Sequence, residues 1–295
     1  MTGDRTGAIA PSHERAADFA ELSKPGIVGL IMVTVAAGFN LGAPEGIVGL
    51  ELFHTLLGAA AVAAGSNALN QVWERRIDAR MNRTSRRPLP AGRMGVPEAN
   101  LFAWILGLGG VAYIAAFVNF LTALLAAITL VTYVFLYTPL KRKTSLCTLV
   151  GAVPGALPIV GGWTAARGSL DVTAAALFAV LFLWQLPHFL SLSWLYREDY
   201  ARAGLRMLCV TRGGKANFRM ALVYSVALLP VSLMPTILGA TGSLYFYGAL
   251  GLTGWMIWAA GTAAWNHTRS RARRLFLVTL VYLPALLVLM VVDKV

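Results

Sequence analysis

Nine stretches of 17 to 24 residues, nearly free of charged side chains, follow one another along this chain. A helix of that length spans the ~30 Å hydrocarbon core of a bilayer, where every backbone N–H and C=O must be satisfied inside the segment itself. Closed barrels also meet that demand, but from shorter strands of alternating polarity. The expected architecture is therefore all-α and polytopic. The spans are read as Ile27 to Ala43, Leu52 to Leu69, Leu101 to Val118, Leu121 to Tyr137, Leu146 to Ala165, Val172 to Leu195, Asn217 to Ala240, Ser243 to Trp265 and Leu275 to Val292.

Charge placement tests that count independently, because Lys and Arg collect in short cytoplasmic loops. With nine spans and a cytoplasmic N-terminus, 23 of the 25 basic residues fall on the inner face, leaving Arg167 and Lys294 outside. The C-terminus is then external. The net charge of +12 is thus explained by topology and by attraction to anionic lipid. Nucleic acid is excluded as a partner, since the bases sit in separate juxtamembrane loops and form no recognition stripe. Residues 1–24 are polar and lack an apolar core followed by a cleavage site. They are read as a cytoplasmic lead-in, and residues 25–295 as one nine-helix domain. The only two cysteines, Cys147 and Cys209, lie near the inner face, where thiols stay reduced, and they have no zinc-type spacing.

The chemistry concentrates in the two long inner loops. Asn70, Glu74 and Asp78 recur every four residues, which stacks three oxygen-bearing side chains on one helical face, and Asn67 extends the stripe toward the membrane. Two like charges one turn apart weaken a helix unless a cation lies between them. Arg83, Arg86 and Arg87 follow at once. Carboxylates beside arginines suit a Mg²⁺-bound diphosphate, whose oxygens complete the metal's shell while Arg neutralises the remaining charge. The alternative is a helix emerging into water with its acids paired to Arg75, Arg76 or Arg80. Lys141, Arg142 and Lys143 close the fourth span on the same face, either as further phosphate contacts or as an inner-face anchor.

In the sixth span Pro187 interrupts the backbone beside His188, placing an imidazole within or near the inner leaflet. Asp199 and Glu198 lie about three turns further on. They form either a second acidic wall or a solvated face paired with Arg197 or Arg202. His13, His54 and His267 lie apart and receive no role.

Three ordered segments, NQVWERRIDARMNRTSRRPLPAG (Asn70 to Gly92), YTPLKRKTSLCTLVGAVPGALPIVGGW (Tyr137 to Trp163) and WQLPHF followed by REDYARAG (Trp184 to Gly204), resemble the UbiA superfamily of intramembrane prenyltransferases. The resemblance is closest to the branch that modifies heme. It implies nine transmembrane helices around a central cavity, with Asn70, Glu74, Asp78 and Asp199 as Mg²⁺ ligands. Arg83, Arg87, Lys141 and Arg142 then contact diphosphate, and His188 stands near where other members carry an earlier acid of the second motif. The implied reaction transfers the farnesyl group of farnesyl diphosphate to the 2-vinyl group of heme b, with addition of water. The implied setting is a bacterial inner membrane, with a downstream heme-modifying enzyme or terminal oxidase as recipient. From Leu205 to Gly214 the chain reads LRMLCVTRGG, where that branch is expected to be Pro-rich. The rival readings are a superfamily member acting on a quinone precursor or another tetrapyrrole, a transporter, and a non-catalytic oxidase assembly factor.

Overall fold

The computed structural model describes residues 12–43 and 49–295; Arg5 and the rest of residues 1–11 lie outside it, as does the side chain of His13. The described residues form helices without a strand. In chain order they are α1 (Ser12–Ser23), α2 (Pro25–Gly42), α3 (Gly49–Asp78), α4 (Val96–Phe117), α5 (Phe120–Val131), a π-helical turn (Thr132–Tyr137), α6 (Thr138–Leu140), α7 (Cys147–Arg167), α8 (Val172–Leu195), α9 (Arg197–Arg202), α10 (Leu208–Thr211), α11 (Gly213–Ile237), α12 (Ser243–Trp265) and α13 (Arg269–Val292). Eight membrane-crossing helices are long and apolar enough for the task, counting Phe120–Leu140 as one. The remaining long helix, α12, has 23 residues. None of them is charged, so the expected nine spans correspond to these eight and α12 among the described residues.

The helix starts are local. Asn119 accepts from the Thr122 N–H at 2.8 Å, Asp171 from Ala174 at 2.9 Å and Thr268 from Arg271 at 3.3 Å, each satisfying an N-terminal donor that the helix leaves open. Pro187 does not end α8, which runs on to Leu195 around a buried ring. The segment packs against α7, α11 and α13.

Successive long helices pack as neighbours, α2 on α3, α3 on α4, α4 on α5, α5 on α7, α7 on α8, α8 on α11 and on through α12 to α13, which returns to touch α2 and α8. The inward and outward faces invert the soluble pattern. On α4, Ala99, Ala103 and Gly107 face α3 and α5, while Leu101, Ile105 and Leu108 are exposed, because lipid tails solvate large apolar side chains and small residues let backbones approach. The α2–α7 contact depends on this most. A Cβ on Gly162 would collide with the Val35 carbonyl, and one on Gly38 with the Ile159 carbonyl.

Both glycine contacts fall in the C-terminal part of α2 and its neighbour. Residues Thr34 to Gly42 are largely buried, whereas Pro25 to Val33 are more exposed. Ile27, Leu30 and Ile31 of that N-terminal half line the interior cavity.

Candidate functional site

Asn70, Glu74 and Asp78 lie on the last turns of α3, and all three are buried, Glu74 at 6% and Asp78 at 1% exposure. They line one chamber of about 190 Å³ at the end of the bundle where α3 ends and α2 begins, together with Lys24, Arg83, Arg87 and Lys141. Each carboxylate already has a cation. Lys141 Nζ donates to both Glu74 oxygens at 2.8 and 3.0 Å, and Arg87 Nη1 donates to Asp78 Oδ2 at 2.8 Å. The partners come from outside α3 and not from Arg75, whose guanidinium donates to the Val72 carbonyl, so the stripe is not a helix simply emerging into water. Thr84 donates to the Asp78 carbonyl at 2.9 Å and pins the arginine loop beneath the helix end.

Lys24 joins this chamber without any signal in the sequence. It links α1 to α2 in the left-handed conformation, φ 53°, a strain of about 1–3 kcal/mol for a residue with a side chain. Docking of α1 enforces it. Arg93 clasps Asp18 and Glu21 of α1 at 2.8 and 2.6 Å, Arg15 reaches Glu98 at 2.6 Å, and Gln71 donates to the Leu22 carbonyl at 2.7 Å. The Lys24 ammonium then lies 3.4 Å from Asn70 Oδ1. Burial, followed by repulsion from Arg87 and Lys141, lowers its pKa to about 7, against the pull of Glu74 and Asp78. At Lys141 burial acts in the same downward direction, but the Glu74 carboxylate together with Tyr137 and Tyr133 outweighs it and holds the ammonium's pKa above its ordinary value.

The π-helical turn accounts for two further wall residues. π turns are rare and re-aim side chains at functional sites. Here Tyr133 and Tyr137 line both the charged chamber and the apolar cavity above it, and Lys141 sits 4.4 Å over the Tyr137 ring. Thr138 bridges the turn to the acidic stripe, donating to the Tyr133 carbonyl at 2.9 Å and accepting from Asn70 Nδ2 at 3.1 Å.

Asp199 packs against the same loop but not into the chamber. Its carboxylate accepts from the Asn82 N–H at 3.5 Å and pairs with Arg202 at 3.2 Å, while its neighbour Tyr200 forms part of the wall. Glu198 pairs only with Arg197, in solvent. Arg142 is exposed, outside the chamber lining. Leu205 and Met207, from the segment where prolines were expected, close the chamber floor instead.

Beside the chamber lies an apolar cavity of about 370 Å³, walled by α2, α3, α5, α7 and α8, which shares with it the wall residues Ile27, Tyr133, Tyr137 and Phe189. His188 is on this apolar wall, apart from the acidic residues.

No three acidic, His or Cys side chains gather closely enough among the described residues to hold a metal unaided. Two carboxylates and the Asn70 amide on one chamber are nonetheless hard oxygen donors that fit Mg²⁺ when an anionic ligand brings the remaining oxygens. The arrangement, four cations and two acids around a small polar space that shares a wall with a larger apolar one, suits an amphiphile with a polyanionic head.

Residues 31–283 match the model of the UbiA prenyltransferase family. A protoheme IX farnesyltransferase of Solibacter usitatus is 43% identical over 287 residues, covering 94% of this chain and 98% of that protein. Among solved structures, one of a digeranylgeranylglyceryl phosphate synthase superposes with a TM-score of 0.81 at 18% identity, covering 95% of this chain and 98% of that one. A UbiA homolog from Archaeoglobus fulgidus bound to GPP and Mg²⁺ superposes with a TM-score of 0.65 at 16% identity, covering 92% and 99%.

Proposed function

Since the chain belongs to the UbiA prenyltransferase family, we propose that it is a protoheme IX farnesyltransferase, moving the farnesyl group of farnesyl diphosphate onto the 2-vinyl group of heme b, with addition of water, to give heme O and diphosphate. The observation that carries this reading is a chamber lined by Lys24, Arg83, Arg87, Lys141, Glu74 and Asp78 that shares the wall residues Ile27, Tyr133, Tyr137 and Phe189 with an apolar cavity of about 370 Å³. Residues 25–295 form the transferase domain. Residues 1–24 are its cytoplasmic lead-in, in a bacterial inner membrane with the C-terminus external.

The chamber's acids and bases neutralise one another. Entry of a diphosphate exchanges these partners. Lys141 and Arg87 turn to phosphate oxygens, Lys24 and Arg83 add their charge, and the released Glu74 and Asp78, with Asn70, would hold Mg²⁺. Asp199 completes that set if the Asn82 loop shifts. Bound there, Mg²⁺ would supply Lewis-acid neutralisation of the departing diphosphate.

The C1–O bond of the donor breaks with its electron pair leaving on the diphosphate, whose growing charge the four cations stabilise. Tyr133 and Tyr137, at the junction of the two spaces, face the allylic cation that results. The terminal vinyl carbon of heme b attacks that cation. Water then adds to the new cation on the porphyrin substituent and loses a proton. Bulk water must stay away from the first cation, and the apolar walls above the tyrosines exclude it.

The test is incubation of the purified protein with heme b, farnesyl diphosphate and Mg²⁺, followed by mass analysis of the tetrapyrroles. A gain matching hydroxyethylfarnesyl is expected. Unmodified heme, with prenylation of a quinone precursor in parallel, would move the assignment to another member of the family.

A further inference from the structure

His188 has no part in diphosphate departure, yet it is held with unusual completeness. Its Nδ1 lies 2.9 Å from Thr279 Oγ1 on α13, and that hydroxyl spends its only proton on the Phe276 carbonyl at 2.6 Å. The hydroxyl must therefore accept from His188, which makes Nδ1 the protonated nitrogen. Trp184 donates to the Thr279 carbonyl at 2.9 Å. The imidazole stacks on Trp184, 5.5 Å away at 23°, and on Phe276, 5.0 Å away at 29°, which fixes the plane of the ring; a 180° flip within that plane would put Cδ2 where Nδ1 stands and lose the Thr279 bond. Nε2 makes no hydrogen bond among the described residues, and it is not sealed from open space, because the ring lines the apolar cavity. A bare nitrogen lone pair in an apolar membrane wall is costly to keep without a ligand.

We propose that Thr279 is a positioning residue that locks His188 in its Nδ1–H tautomer, so that Nε2 presents its lone pair to the cavity as a ligand for the iron of the tetrapyrrole acceptor. The inference rests on the heme-acceptor reading above. Histidines that bind metals commonly donate their second nitrogen to a fixed acceptor, which orients the ring and raises its basicity. Thr279 is fully buried and supplies that acceptor from a helix 91 residues away in sequence.

The experiment compares binding of heme b and of metal-free protoporphyrin IX to the detergent-purified protein, followed by absorption spectroscopy. The two probes share ring and vinyl groups and differ in iron. The unsubstituted protein and Thr279→Ser should prefer heme b and show the Soret band of a histidine-ligated heme. His188→Ala and Thr279→Val should lose that band and bind heme b about 10- to 100-fold more weakly, while their affinity for protoporphyrin IX and for Mg²⁺-diphosphate stays unchanged. Equal affinity of the unsubstituted protein for the two probes, together with farnesylation of heme b, would overturn the inference and leave the proposed function standing. Failure to bind either ring would overturn both. An unaltered spectrum in Thr279→Val would remove Thr279 from its role.

Discussion

Replacing Lys141 with Met should separate stability from ligand binding at the chamber. Lys141 contacts both oxygens of Glu74 at 2.8 and 3.0 Å, with side-chain exposures of 13% and 8%. Removing one member of a buried pair costs ~3–5 kcal/mol, because the other charge is left unpaired. Lys24 and Arg87 share the chamber with Glu74 and relieve part of this, so ~2–3 kcal/mol is expected for Lys141→Met. Adding Glu74→Gln removes the stranded charge and should restore most of that loss. Diphosphate affinity should follow a different course. A charge-assisted hydrogen bond contributes ~1.5–3 kcal/mol, which corresponds to about 10- to 150-fold in Kd. That loss should appear in Lys141→Met and remain in the double variant. Equilibrium unfolding in detergent measures the first quantity, and calorimetric titration with Mg²⁺ and inorganic diphosphate the second. The partner-exchange mechanism is refuted if the double variant binds diphosphate as tightly as the parent, or if Lys141→Met is no less stable than the parent.

Asp78→Asn should abolish turnover while the protein still inserts and elutes as a monodisperse species; activity retained at ordinary Mg²⁺ would count against a metal role for this carboxylate. Lys24→Ala should raise the Kd for Mg²⁺-diphosphate about tenfold, whereas Arg142→Ala, exposed and outside the chamber, should change it less than about threefold. Equal effects in the same titration would show that the chamber boundary is drawn wrongly. Gly162→Ala drives a methyl group into the α2 backbone and should cost ~1–3 kcal/mol, while Gly161→Ala, which meets nothing within 4 Å, should be near neutral in the same unfolding assay.

Much of the site was legible because its parts are local. The stripe Asn70, Glu74, Asp78 needs only helical periodicity, and the arginines Arg83 and Arg87 follow within one loop. Lys24 was not legible as a chamber residue, since a lone cation before a span looks like any membrane anchor until docking of α1 fixes its strained backbone. Tyr133 and Tyr137 were hidden for another reason. The π turn shifts the register of α5, so ordinary periodicity misplaces both rings. Asp199 and Arg142 share composition with the chamber residues, yet their side chains leave it, one toward Arg202 and the other into solvent.

The membrane-spanning helices and the side on which their charges gather are written in the sequence, because hydrocarbon forces each segment to satisfy its own backbone and repels charge residue by residue. Which faces of those helices meet is a different matter. The pairing of Lys141 with Glu74, and of His188 with Thr279, joins residues 67 and 91 positions apart, and depends on small residues such as Gly38 and Gly162 letting particular helices approach. Lipid solvates every apolar face about equally well, so hydrophobicity along the chain carries no record of the partner; close packing in three dimensions selects it.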